Sequence, residues 1–305
     1  MKKLDFHVHV TSEITVDETI RNFSEMCERK GYEGVGIMTL WHHSDGYLPS
    51  NYNEISLEVK RGMPGSYAFA ALDCNKDLLE QAKRCMDAGF DGIKLLSGKP
   101  SEYRLFGYSY DDPRFDKLFE YAEENQVPML LHNNDPLIHW DIAKISKRAI
   151  EKGWYYDDTM PNQEYFFSAL DNVLERFQKL RVAIAHLGFY SDNLGRAEAM
   201  LEKYHNLMFD ITPALIIYDQ MSMTPKQSET FFKKYHDRLI YGTDAENDLV
   251  GEVRAYNDLK TNITDTFLEG KENLDLKGHV ITPIHLEEYM LQNIYYNNAK
   301  KFIKQ

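Results

Sequence analysis

Two histidines, His7 and His9, stand two positions apart in the run LDFHVHV that begins at Leu4. Side chains alternate faces along an extended strand. Asp5, His7 and His9 are therefore expected on an inner wall, with Leu4, Phe6 and Val8 packed outward on helices. Two neutral imidazoles stacked in this way are common nitrogen ligands for zinc and similar metals. The pattern alone is weak, because with 11 histidines in 305 residues about 0.4 H-x-H motifs per chain arise by chance.

Three further apolar runs end in a residue that can ligate a metal or move a proton. PMLL precedes His132, VAIA precedes His186 and IYGT precedes Asp244. Taken singly, each reads equally well as a satisfied buried histidine or a helix-capping aspartate. Together they place ligand-type side chains at corresponding ends of four strands, which is hard to reconcile with coincidence.

The elements that would carry these residues alternate between short Val/Ile/Leu/Phe-rich runs and longer, charge-rich stretches with helical spacing. The strand candidates are LDFHVHV from Leu4, GVGIMTL from Gly34, YAFAALD from Tyr67, GIKLL from Gly92, PMLLHNN from Pro128, RVAIAHLG from Arg181, LMFDIT from Leu207 and LIYGTDA from Leu239. Helix candidates include 77–88, 114–125, 164–177 and 285–303. Eight strand–helix units in 305 residues fit an α/β fold of the (β/α)8 TIM-barrel type, a single domain over 1–305. No glycine-rich phosphate fingerprint follows the first strand, which disfavours a dinucleotide-binding sheet. Three long connections, Ser97 to Asp112, Asn133 to Asn162 and Ala245 to about Pro283, follow strand C-termini, the face where barrel enzymes carry their active sites.

DFHVHV, GIKLL, DDPRFDKLFEYAEENQVPMLLHNN, LERFQKLRVAIAHLG, IYGTDA and the closing NIYYNNAKKFI occur in an order that resembles the amidohydrolase superfamily. The similarity is greatest to the amidohydrolase-related branch that includes TIM-barrel metal hydrolases and aminocarboxymuconate-semialdehyde decarboxylase. The resemblance implies His7, His9, His132 and Asp244 as ligands of one divalent metal, zinc first, with manganese or iron as alternatives. It implies His186 as the sixth-strand histidine facing the reacting groups. Such a site keeps a position for water, with Asp244 able to take its proton and His186 to stabilise developing charge. Lys94 holds the position where binuclear members carry a carboxylated lysine. It is expected either to bridge two metals or to contact substrate, against the plainer reading of a buried lysine paired to a carboxylate.

His42 and His43 follow the second strand, and adjacent residues on an extended chain point apart, so one of them, His43, is a candidate substrate contact. Arg104 and Tyr108 are further candidates, with Lys99, Tyr103 and Tyr110 on the same loop able to meet an acidic or ring-containing substrate, or to form a solvated flap. Trp140 and Trp154 read as core or pocket wall.

A formal net charge of -13 argues against a nucleic-acid partner, and the sequence has no apolar run long enough to span a bilayer. Three cysteines, Cys27, Cys74 and Cys85, with no CxxC spacing, point to a reducing cytoplasm. The partner expected is a small-molecule substrate; similar proteins are commonly homodimers, though the sequence names no interface. Three functions stay open: hydrolysis of an ester, lactone or amide by a metal-activated water, non-oxidative decarboxylation of a small acid at the same centre, and a ligand-binding barrel without catalysis.

Overall fold

The computed structural model describes residues 1–11, 14–40, 49–248 and 250–304. Nine strands make one parallel sheet: β1 (Lys3–His9), β2 (Tyr32–Met38), β3 (Tyr67–Ala71), β4 (Gly92–Gly98), β5 (Met129–Asn133), β6 (Val182–Ile184), β7 (Leu207–Asp210), β8 (Leu239–Ile240) and β9 (Ala245–Glu246). The order is β8-β7-β6-β5-β4-β3-β2-β1-β9. β8 and β9 are two pieces of one pass of chain. β8 pairs with β7 and β9 pairs with β1, so that pass closes the sheet into a barrel. Two backbone bonds complete the seam, from Phe6 N to Tyr241 O at 3.1 Å and from Asp244 N to His7 O at 2.8 Å.

Helices fill the crossovers where the amphipathic pattern predicts them. The helix Leu78–Ala88 starts at Asp77, whose side chain accepts from Glu80 N, and ends at Gly89. There φ is 101°, a conformation open to glycine. Helices Asp116–Glu124 and Gln163–Arg176 match their expected ranges. The connection after β9 holds the 19-residue helix Gly251–Glu269 and an antiparallel hairpin, β10 (Leu274–Leu276) and β11 (His279–Ile281). No helix among the described residues is long and apolar enough to cross a membrane.

The inner face of β1 departs from simple alternation. Leu4 and Phe6 cluster with Met38, Tyr67, Phe69, Leu130, Ala183, Met208 and Ile240, side chains from strands all round the sheet, which can meet only inside the barrel. Ala299, Phe302 and Ile303 of the helix Asn298–Lys304 close this inner core from below, with Phe302 edge-on to Phe6 and stacked on Phe69. Register shifts between Lys3 and Asp5 and between Asp5 and Val8 mark a bulge. A bulge changes which side chains share a face. His7 and His9 therefore reach the interior above Phe6, while Asp5 turns to Thr243 on the neighbouring pass.

Candidate metal centre

The ring nitrogens of His7 and His9 converge with a carboxylate of Asp244. His7 Nε2 lies 3.0 Å from His9 Nε2, and His9 Nε2 lies 2.8 Å from Asp244 Oδ1. His7 Nε2 stands 3.8 Å from the same oxygen. Among the described residues, these three form a group of His, Cys, Asp or Glu side chains with metal-ligand spacing. His7 is fully buried, whereas the Asp244 side chain remains 30% exposed at the barrel mouth.

The far side of each ring fixes its tautomer. His9 Nδ1 is 2.7 Å from the Met38 carbonyl, which can only accept, so Nδ1 carries the proton and Nε2 a lone pair. His7 Nδ1 meets the Asp210 carboxylate with the same result. Burial is the main influence on His7 and keeps its imidazole neutral, its pKa pushed down to about 3. Burial alone would raise Asp210, but the bonded His7 outweighs it and holds the carboxyl at about 2. Two lone pairs and a carboxylate oxygen thus face one another. Such a set is repulsive until a cation sits among it, and imidazole nitrogens with a carboxylate suit zinc, manganese or iron. The residues fit a divalent metal.

Asp244 is carried on a turn with φ of 58°, a left-handed conformation uncommon for a residue other than glycine. Lys260, from the helix Gly251–Glu269, reaches the Asp244 backbone carbonyl with its Nζ. Burial works to raise the Asp244 carboxyl, but the charge of Lys260 and the contact with His9 prevail and hold it well below the usual range. It is therefore an anion at neutral pH.

His132 and His186 stand on the next part of the rim. Their ring centroids are 5.0 Å apart, and that of His186 is 5.7 Å from His7. His186 opens a turn, 186–189, in which His186, Leu187, Gly188 and Phe189 all have positive φ, near 56°, 51°, 60° and 57°. Its Nδ1 is held by Thr212, 3.0 Å from Oγ1 and 3.3 Å from the carbonyl. His132 is not among the three converging residues; its buried Nε2 has no hydrogen-bond partner among the described residues and lies 3.7 Å from Asp135 Oδ1. Burial keeps both imidazoles neutral.

Lys94 is buried in the same interior with an Nζ that has no hydrogen-bond partner among the described residues. Burial pushes its pKa down to about 8, against the pull of Asp210 and Asp244. Other candidates are tied up elsewhere. Arg104 is exposed and bonds the carbonyls of Gly153 and Tyr155, clamping two loops together. The Tyr108 ring lies 3.4 Å from the Arg114 guanidinium and packs in the core. Lys99 is paired with the buried Asp135 at 2.9 Å and lies over Trp154. His43 lies outside the described residues.

Asp210, Thr212, Asp135 and Lys260 were not singled out from the sequence. Asp210 ends an apolar run as His132 does, so the rule that found one finds the other. Met38 acts through its carbonyl, and its side-chain type carries no signal of that role.

A family model described as amidohydrolase matches residues 48–304. A dihydroorotase from Methanosphaera stadtmanae is 21% identical over 151 residues, 49% of this chain and 32% of that protein, so the match spans about a third of that relative's length. An amidohydrolase II structure superposes with a TM-score of 0.64 at 15% identity, covering 99% of this chain and 100% of the other. A 4-oxalomesaconate hydratase from Rhodopseudomonas palustris gives 0.58 at 16% identity, covering 99% and 95%. A dihydroxybenzoic acid decarboxylase from a Polaromonas species, with bound manganese and the inhibitor 2-nitroresorcinol, gives 0.58 at 13% identity, covering 99% and 97%. At these identities the likeness to the solved structures is one of fold.

Proposed function

Since the chain belongs to the amidohydrolase family and is an enzyme of that fold, we propose that it hydrolyses an ester, lactone or amide bond of a small molecule at a centre built on His7, His9 and Asp244. His132 is the fourth ligand in this reading. The observation that carries it is the meeting of two lone pairs and a carboxylate with no proton between them. A divalent metal, zinc first and manganese or iron as alternatives, supplies Lewis acidity there and brings the pKa of a bound water to about 7.

The chain's own groups do the rest. Asp244, anionic and at the mouth, takes the proton of the attacking water and returns it to the leaving group. His186, neutral and with its Nδ1 proton engaged by Thr212, presents the lone pair of its other nitrogen, which orients the attacking water or a substrate donor by accepting its hydrogen bond. Lys94 adds a cation on the same side, as a substrate contact; a second metal would instead make it a bridging ligand. The three cysteines are free thiols, as a reducing compartment would keep them, and the partner in this reading is a small-molecule substrate.

A second reading, non-oxidative decarboxylation of a small acid, keeps the same ligands and draws support from the manganese-bearing decarboxylase of the same fold. Metal per chain is measured first, in the wild type and in a His7→Ala, His9→Ala double variant. One ion lost in the variant supports the centre, two promote Lys94, and none after reconstitution overturns it. Candidate esters, lactones, amides and acids are then incubated in 18O-labelled water. Label in the organic product supports hydrolysis, whereas carbon dioxide release with no label in the remaining organic product overturns it in favour of the decarboxylase.

A further inference from the structure

The histidine pair and Asp244 come from segments 235 residues apart in sequence, so their spacing depends on how β1 sits against the pass 241–246. Backbone pairing sets part of this register, through Asp244 N to His7 O and the pairing of Val8 with Ala245. One buried side chain also spans the two segments beside the ligands. Asp5 is fully buried, and its carboxylate accepts from donors on both segments. Oδ1 accepts from Thr243 N at 3.0 Å and from His7 N at 3.3 Å. Oδ2 accepts from Thr243 Oγ1 at 2.6 Å, and that oxygen in turn accepts from Ala245 N at 3.3 Å.

We infer that Asp5 is a positioning residue for the metal centre: by tying His7 and Thr243 to one carboxylate, it sets the gap between the imidazole pair and Asp244. The inference rests on the metal-centre reading above. Its physical basis is that Asp244 sits next to Thr243 on a left-handed turn, which needs outside support to persist. The bulge at Asp5 is what brings this carboxylate to the seam while His7 still faces the interior. A ligand set must be held to within about 0.5 Å to keep its geometry, and groups that orient ligands from outside typically account for 10–100-fold in metal affinity.

The test uses cobalt(II) as probe, read by chelator competition and by visible absorption, with thermal stability followed in parallel. Asp5→Ala is expected to bind cobalt about 10–100-fold more weakly than the wild type and to shift its visible bands, with Asp5→Asn between the two. A role confined to stability lowers the melting temperature and leaves affinity and spectrum unchanged, which overturns the inference. If Asp5→Ala does not fold, Thr243→Val decides, since it keeps the carboxylate and removes its 2.6 Å donor; wild-type affinity and bands in that variant also overturn it. A wild type that binds no cobalt overturns the metal reading itself, a separate outcome.

Discussion

Replacing Asp210 by asparagine keeps the shape of the side chain and removes the charge that faces His7 Nδ1. The amide can offer its own N–H to Nδ1, which moves the imidazole proton to Nε2 and takes away the lone pair pointed at His9. The size of the effect follows from linkage. At free metal 1,000 times the dissociation constant, binding stabilises the wild type by about 4.1 kcal/mol. A 305-residue chain unfolds with an entropy of about 0.64 kcal/mol/K, so the melting temperature rises by about 6 °C when metal is added. Loss of an orienting partner weakens metal binding about 10–100-fold, which leaves about 2.7 to 1.4 kcal/mol and a rise of only about 4 to 2 °C. Differential scanning calorimetry of metal-stripped Asp210→Asn and wild type, each with and without zinc at the same free concentration, reads this directly. A metal-induced rise in the variant equal to that of the wild type refutes the reasoning, because His7 would then present its lone pair without Asp210.

Other consequences are equally direct. In metal-free protein, burial holds His7 at about 3 and lowers His132 and His186, so these rings favour the neutral form in the folded state. The stability they contribute is present above the unfolded value of about 6.5 and is lost as pH falls toward 3. Asp5, raised to about 7 by burial, acts in the opposite sense between about 4 and 7, as do Asp192 and Asp265, which burial also raises, while His139 is lowered with the other three rings and the four histidines prevail. Urea midpoints should therefore fall from pH 6.5 to pH 4.5, and a flat or rising profile contradicts the assignment. A methyl group at Gly242 would lie 2.6 Å from Thr212 Cγ2 and 2.8 Å from His7 Cβ, so Gly242→Ala should lose bound metal as measured by elemental analysis. Phe302→Ala opens the barrel floor and should cost about 3–5 kcal/mol, seen as a lower midpoint with unchanged metal content.

Much of this architecture is legible in the sequence because its signals are local. All eight apolar runs contain strand, and Asp77, Gly89 and the apolar spacing of 164–177 mark helices that form where expected. His7, His9 and Asp244 come together as their positions at strand ends require. What escapes is set by geometry between distant segments. The bulge around Asp5 reverses the outward placement of Leu4 and Phe6, and nothing in LDFHVHV announces it. The run RVAIAHLG reads as one strand, yet β6 stops at Ile184 and the chain turns left-handed from His186, a conformation imposed by its surroundings. The hairpin at Leu274–Ile281 did carry a local signal, since Lys277 and Gly278 both take positive φ in the turn, and Lys-Gly is a weaker cue there than Asn-Gly.

The seam between β1 and the pass 241–246 also bears on how the molecule is made. His7 and His9 leave the ribosome before their third partner, which follows 235 residues later, on the order of 10–50 s at usual rates of translation. Through that interval β1 lacks the strand it pairs with at Val8 and His9. The helix that closes the floor beneath Phe6 is synthesised later still. At the proposed centre, metal acquisition would therefore wait for the pairing of β1 with β9. Chains that stall before Asp244 is synthesised carry the histidines without the site.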